Sequence, residues 1–331
     1  MALYKKTDKK SRNKRIFEVI SIFAILMIIF LLLNKNQNSM YSVNIEGKYP
    51  IKLIVSEDFG KSILLNENLQ IEGGESSVDV LFEIANVTTT YGGGYVQSID
   101  GIKSQYNSET GVKKDWLYYV NGILASVGAG LYKPYPNDII HWDYHDWVED
   151  KAVTAIIGSY PEPFLHGYNG NIIPTIIIYS DDFYDTAIDL QNSLEKLGVS
   201  TSKKSFKDLT ENEKQSHNLI LIGTYENDLI ENLNSNSDQL GWFVKYENDY
   251  ITTFDKTGKT SSMFEQAGVI CATQNIWNPK GNWHCENVIW VVSGLTYDDV
   301  RSAANLLISN DLDIQNHASI IVVNKSVHQV P

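Results

Sequence analysis

Trp116-Leu117-Tyr118-Tyr119-Val120-Asn121-Gly122 is the stretch on which the reading of the fold turns. Five strand-forming apolar and aromatic residues run into Asn-Gly, the dipeptide that tolerates positive φ at both centres of a type I′ hairpin turn. On a strand, Trp116, Tyr118 and Val120 share one face and Leu117 and Tyr119 the other. One face is expected to pack on a helix. The other either offers aromatic rings as a binding platform or is half-buried sheet.

Upstream, Ile51–Val55 and Ser62–Leu65 read as strands, and a helix opens at the Ser76-Ser77 cap with Val78, Leu81, Phe82 and Ala85 at helical spacing. Downstream, Ile139–Tyr144 is a further strand. Strand, strand, helix and more strands predict an α+β domain over residues 51–147, a mixed, β-grasp-like sheet with one helix.

Residues 172–331 follow another pattern. Apolar runs at Pro174–Tyr179, Asn218–Gly223 and Val288–Val292 alternate with helices at Ala187–Leu197, from Asp228, and at Asp298–Ile308. That order predicts an α/β domain with a largely parallel sheet, to which Val269–Ala272 and Ser319–Val323 add strands. Residues 148–171 form a connector. Its Tyr160-Pro161-Glu162-Pro163-Phe164 is expected to be stiff and extended.

The N-terminus carries a different signal. Lys5, Lys6, Lys9, Lys10, Arg12, Lys14 and Arg15 face a single acid, Asp8, and an apolar run from Ile16 to Leu33 follows, broken only by Glu18 and Ser21. Its length is close to the ~20 residues that cross a bilayer core, and the basic flank places residues 1–15 in the cytoplasm. Residues 16–34 are therefore expected to be an uncleaved single-pass signal-anchor, 35–50 a polar stalk, and the rest extracellular, at the cell surface. Residues 16–331 keep 20 of the 27 Lys and Arg but 39 of the 40 Asp and Glu. Such a surface repels nucleic acid.

Two cysteines, Cys271 and Cys285, lie in the expected exterior, where they can pair as a disulfide. Such a bridge contributes ~3 kcal/mol. They form no zinc-site spacing.

Tyr91-Gly92-Gly93-Gly94-Tyr95 is a loop in which backbone comes close to something, because glycine has no side chain and tolerates positive φ. No G-K-[ST] follows, so a tight turn between helix and strand is favoured over a phosphate cradle. In His141-Trp142-Asp143-Tyr144-His145-Asp146-Trp147, alternation places His141, Asp143, His145 and Trp147 on one face and Trp142, Tyr144 and Asp146 on the other. Ligands ~7 Å apart along a strand suit one small ion poorly, so packed aromatics with hydrogen-bonded histidines are favoured over a metal site. Asp181-Asp182 and the Gly223–Asn227 loop sit at strand ends without a recognisable catalytic partner, and no G-x-S-x-G, H-E-x-x-H or S-x-x-K motif occurs.

Three segments, Tyr91–Ile102, Asp115–Ala125 and Asp138–Trp147, together resemble a widespread domain of unknown function of bacterial and archaeal surface proteins. That domain is similar to the C-terminal β-domain of the cobalamin carriers transcobalamin and intrinsic factor. Ile156–His166 and Ile289–Ala304 resemble the second half of some of these surface proteins, and the α/β half is similar to S-layer-like domains. The resemblance implies an extracellular, non-enzymatic binding module, with cobalamin or another corrinoid as a candidate ligand and no other cofactor. Tyr91, Gly92, Gly93, Gly94, Tyr95, Trp116, Tyr118, Tyr119, Asn121, Trp142, Tyr144 and His145 are the candidate ligand-facing residues. A membrane transporter or a cell-wall component is the expected partner. The alternative is a structural envelope protein that binds other proteins or wall polymers.

Overall fold

β1 (Lys48–Glu57) alternates Tyr49, Ile51, Leu53 and Val55 into a core while Lys48 and Pro50 stay exposed. In the computed structural model it lies between β2 (Ser62–Glu72), to which it is antiparallel, and β9 (Ile139–Asp146), to which it is parallel. The structure describes residues 45–107, 112–147, 152–281 and 283–331. The cytoplasmic tail, the anchor and most of the stalk expected from the sequence lie outside them. Among the described residues no helix is long and apolar enough to cross a membrane.

Helix α1 (Ser77–Ile84) starts where the sequence placed it: Ser76 accepts from the Asp79 N–H, and the Asp79 carboxylate accepts in return from the Ser76 N–H. Val78, Val80 and Leu81 are buried. Phe82, expected on the packed face, is 47% exposed. A small antiparallel sheet follows, with β3 (Val87–Thr90), β4 (Tyr95–Ile99) and β5 (Ile102–Lys103). β6 (Gln105–Asn107), β7 (Val112–Val120) and β8 (Ile123–Leu124) return to the first sheet, whose order is β2-β1-β9-β7-β6 with β8 on β7. Asn121 and Gly122 both take positive φ, 50° and 78°, so the β7–β8 hairpin has the turn that Asn-Gly predicts.

The second sheet begins with β10 (Thr175–Tyr179), α2 (Tyr184–Lys196), β11 (Thr201–Ser205), α3 (Glu211–Ser216), β12 (Asn218–Ile222) and α4 (Asp228–Ser235). A three-stranded antiparallel sheet intervenes, with β13 (Val244–Tyr246), β14 (Ile251–Phe254) and β15 (Thr260–Phe264). Then come β16 (Gly268–Gln274), β17 (Val288–Gly294), α5 (Tyr297–Ser309), β18 (Ser319–Val323) and β19 (Ser326–Val330). The seven strands run in the order β11-β10-β12-β17-β16-β18-β19. The first four are mutually parallel and the last three antiparallel, so the fold as a whole is strand-rich α+β with few helices.

Near-continuous apolar strands need cover on both faces. Ile177, Ile220, Trp290 and Ile270 face α2 and α5 through Leu190, Leu194, Ala303 and Leu307. Ile178, Leu221, Val291 and Val269 face Ile230, Leu233 and the Trp242–Val244 segment. This two-sided burial corrects the disulfide: Cys271 and Cys285 are both buried free thiols. Cys271 and Cys285 belong to different hydrophobic clusters.

Residues 45–331 form one compact unit. The connector is not extended. It runs through turns from Ser159 to His166, with cis bonds before Pro161 and Pro163. Tyr160 and Phe164 bury their rings against Trp290 at 5.9 and 5.1 Å, and the Tyr160 hydroxyl donates to the Leu307 carbonyl.

Candidate functional site

The sequence assigned the faces of β7 and β9 correctly, and the structure covers both. Trp116, Tyr118, Trp142 and Tyr144 point into the core beneath α1, where Tyr118 stacks on Trp142 at 4.8 Å and Trp116 meets Tyr144 at 5.1 Å. Three of the four polar tips are used up on backbone, while the Trp142 indole N–H is buried without a partner. The Trp116 indole donates to the Ile102 carbonyl, Tyr118 to Val127 and Tyr144 to Lys103, while Tyr119 on the other face donates to Val153. Asn121 is fully buried: its amide donates to Asp138 and to the Gly167 carbonyl, and its oxygen accepts from the Ile139 N–H. The open aromatic platform expected of Trp116, Tyr118, Tyr119, Asn121, Trp142, Tyr144 and His145 is therefore a closed core. Amphipathic rings are readily buried when a carbonyl meets the polar tip, as it does for Trp116, Tyr118, Tyr119 and Tyr144.

On the opposite face, Asp143 collects four donors. Its Oδ1 accepts from the Ser56 hydroxyl and, at 3.0 Å, from the Gly60 N–H; its Oδ2 accepts from the Phe59 N–H at 2.9 Å and His145 Nδ1 at 2.7 Å. Because Ser56 spends its single proton on Asp143, the 2.7 Å contact with His141 Nε2 requires that nitrogen to be the donor. His141 Nδ1 is then a bare acceptor, buried without a partner. Phe59 stacks on His145 at 4.2 Å and closes the site. Serine, histidine and aspartate meet here, yet Ser56, His141 and Asp143 are 0–2% exposed, so no substrate reaches them. Among the described residues no group of three or more His, Cys, Asp or Glu is arranged to hold a metal ion.

The electrostatics follow from burial. Burial alone would raise the Asp143 carboxyl, but the hydrogen bond and charge of His145, with His141 and Ser56, hold it down at about 2. Burial lowers His141 to about 4, against the pull of Asp143. Between about pH 6.5 and 4 the unfolded chain takes up the His141 proton before the native one does, so stability is lost as pH falls through that window. A His141→Asn variant lacks this loss. Urea unfolding at several pH values is expected to show it gaining on the wild type by about 1.4 kcal/mol per unit of decreasing pH across the window. A pH-independent difference would contradict a neutral, buried His141.

The part of the candidate set that reaches the surface is the glycine loop. Between β3 and β4, Tyr91–Gly93 make one 3-10 turn, with the Gly94 N–H donating to the Tyr91 carbonyl. The loop thus joins two strands rather than a helix and a strand. Tyr91 holds a left-handed φ of 53° and its side chain is 91% exposed. Left-handed backbone in a bulky residue is strained. Tyr95 is half-buried and donates to Asp115 at 2.8 Å. The close approach that the glycines implied is to another loop: a Cβ on Gly128 would lie 3.0 Å from the Gly94 carbonyl. Beside Tyr91 opens a cleft of about 530 Å³, walled by Val78, Asp79 and Phe82 of α1, by Thr89, Thr90 and Gly93, and by Gly130. Asp79 is committed to the Ser76 cap, so the walls offer ring faces and hydroxyls. Phe82 was legible only as a core-facing helix residue, and the 64% exposed Leu131 beside Gly130 carried no signal, because periodicity shows that a residue is apolar but not what covers it.

Residues 74–146, from just before α1 to the end of β9, match the family described as a domain of unknown function (DUF4430). The match takes in α1, the glycine loop, the aromatic strands and His141, Asp143 and His145, but not Ser56, Phe59 or Gly60 of the Asp143 network. It ends before the α/β half, which was the part expected to be S-layer-like. No curated protein matches the sequence. Among solved structures the chain is similar to haptocorrin in complex with Cbi, at 15% identity over 32% of this chain and 27% of that one, with a TM-score of 0.27. It is also similar to a protein from Ruminococcus gnavus ATCC 29149 carrying a provisional metal-binding assignment, at 11% identity over 30% of this chain and 99% of that one, with a TM-score of 0.24. The chain thus spans about a quarter of the haptocorrin chain.

Proposed function

We propose that this protein is a membrane-anchored, extracellular, non-enzymatic binding protein that captures a small molecule in the cleft beside Tyr91 for uptake. The observation that carries the reading is Tyr91 itself, an aromatic ring held almost fully in solvent by strained backbone at the mouth of a concave surface. Strain of that kind clusters at ligand clamps, and a cleft of this volume fits a drug-sized ligand. The ring faces of Tyr91 and Phe82 suit a flat, partly apolar molecule. A corrinoid is the first ligand to try, on the strength of the three motif segments. The anchor at residues 16–34 supports a tether near a transporter in the same membrane.

Titrating the full-length chain in detergent with hydroxocobalamin, followed by the corrin absorbance, tests this. Saturable binding is expected, weakened about 3- to 10-fold by Tyr91→Ala with no change in unfolding midpoint. No binding at about 100 μM, a far weaker affinity than uptake needs, would rule out the corrinoid.

A further inference from the structure

A small cavity lies beside the Asp143 network, where β9 faces the segment that leads into β18. Its volume is about 10 Å³, and Phe59, Tyr119, His141, Asp143, Asn316 and Ala318 are among the residues that line it. That is room for a single water molecule. Two side-chain atoms of the lining residues are buried without a protein partner, His141 Nδ1 and Asn316 Oδ1.

Both atoms are acceptors. The proton that His141 Nε2 gives to Ser56 leaves Nδ1 with a lone pair, and an amide oxygen has no proton to give. The other polar groups of the lining are spent. Tyr119 donates to the Val153 carbonyl at 3.1 Å, and the Asp143 carboxylate accepts from four donors of its own. Two acceptors cannot satisfy one another, and buried polar atoms are rarely left unmet. The occupant must therefore be small and must carry two protons. A cation would meet only two free, neutral acceptors, too few to replace its hydration shell.

We propose that the cavity is a binding site for one structural water molecule, which donates one hydrogen to His141 Nδ1 and the other to Asn316 Oδ1. The water joins β9 of the first sheet to the chain entering β18 of the second. His141 lies within the matched family segment and Asn316 far outside it, so the water fastens that segment to the α/β half. Asn316 is held ready for it: its φ is 69°, and its N–H donates to the Gly158 carbonyl at 2.9 Å.

The test uses the full-length chain in detergent and water oxygen-17 relaxation dispersion, which counts long-lived internal waters. The wild type is expected to hold about one more such water than either His141→Phe or Ala318→Val. The first variant removes an acceptor; the second fills the cavity and leaves both acceptors in place. Urea unfolding of the wild type, His141→Phe, Asn316→Gly and the double variant gives an independent reading. Glycine keeps the positive φ of Asn316 and removes Oδ1. A bridging water couples the two sites, so the folding constant of the double variant is expected to fall about 5-fold less than the product of the single losses. Acceptors with nothing between them would show no favourable coupling. Equal counts of long-lived water in the wild type and both single variants, or a coupling below about 2-fold, would overturn the site.

Discussion

Replacing Asp143 with alanine is expected to lower the stability of the protein by about 3–5 kcal/mol, among the largest losses available to a single side chain here. The carboxylate is 2% exposed and satisfies the Phe59 and Gly60 N–H groups, the Ser56 hydroxyl and the His145 imidazole at once. Removal leaves two backbone N–H groups buried without an acceptor, each costing about 1–3 kcal/mol. It also leaves His141 and His145 without the charge that orients them. Asp143→Asn is expected to do little better, since its NH₂ would face donors already present. Asp146 is a useful contrast. It lies on the same strand, half-buried, with Lys114 at 3.5 Å and Lys256 at 3.7 Å, and Asp146→Ala is expected to cost less than about 1 kcal/mol. Urea unfolding of both variants checks the pair; equal losses would mean that the Asp143 network is not what holds the β1–β2 turn.

Gly60→Ala is the second large effect, expected at about 3 kcal/mol or more. Gly60 has a φ of 88°, in a run with Asp58 at 52° and Phe59 at 62°. A Cβ there would lie 1.7 Å from the Asn316 carbonyl oxygen, well inside contact distance. The obstacle is backbone and cannot rotate away. Asn316 is pinned from its other side as well: its N–H donates to the Gly158 carbonyl at 2.9 Å, and a Cβ on Gly158 would lie 2.4 Å from its backbone. The turn that Asp143 holds from the first sheet is thus pressed against the segment leading into β18 of the second. Alanine at Gly60 should open both the Phe59 seal and this contact. Gly101, also at positive φ but with nothing near its missing Cβ, should lose only about 1 kcal/mol as alanine. Thermal unfolding of the two variants would separate crowding from backbone strain.

These two sites show where the sequence was readable. The hairpin at Asn121-Gly122, the Ser76 cap, the alternation along β7 and β9 and the apolar runs of β10, β12 and β17 were all legible, because each depends on residues near one another in the chain. What lay across each face was not. Trp142 and His141 alternate as any half-exposed strand does, and only the arrival of α1 on one side and of the segments containing Ile156 and Phe243 on the other turns both faces into core. Cys271 and Cys285 suggested a bridge because their separation in sequence allows one; the fold buries them as free thiols in different clusters. The Asp58–Gly60 turn carried one glycine as its only sign. β13, β15 and β19 are short, and β15 is rich in serine and threonine, so their patterns were too weak to announce strands. The glycine loop was readable as a close approach, but the exposed Tyr91 ring and its cleft with Phe82 required the fold.

Hydrogen–deuterium exchange on the full-length chain, with and without hydroxocobalamin, tests most directly whether recognition sits at that cleft. Slower exchange confined to residues 76–94 and to the loop around Gly130 is the expected result. Slower exchange centred on 141–147, with the Tyr91 loop unchanged, would contradict it and return the ligand to the aromatic strands.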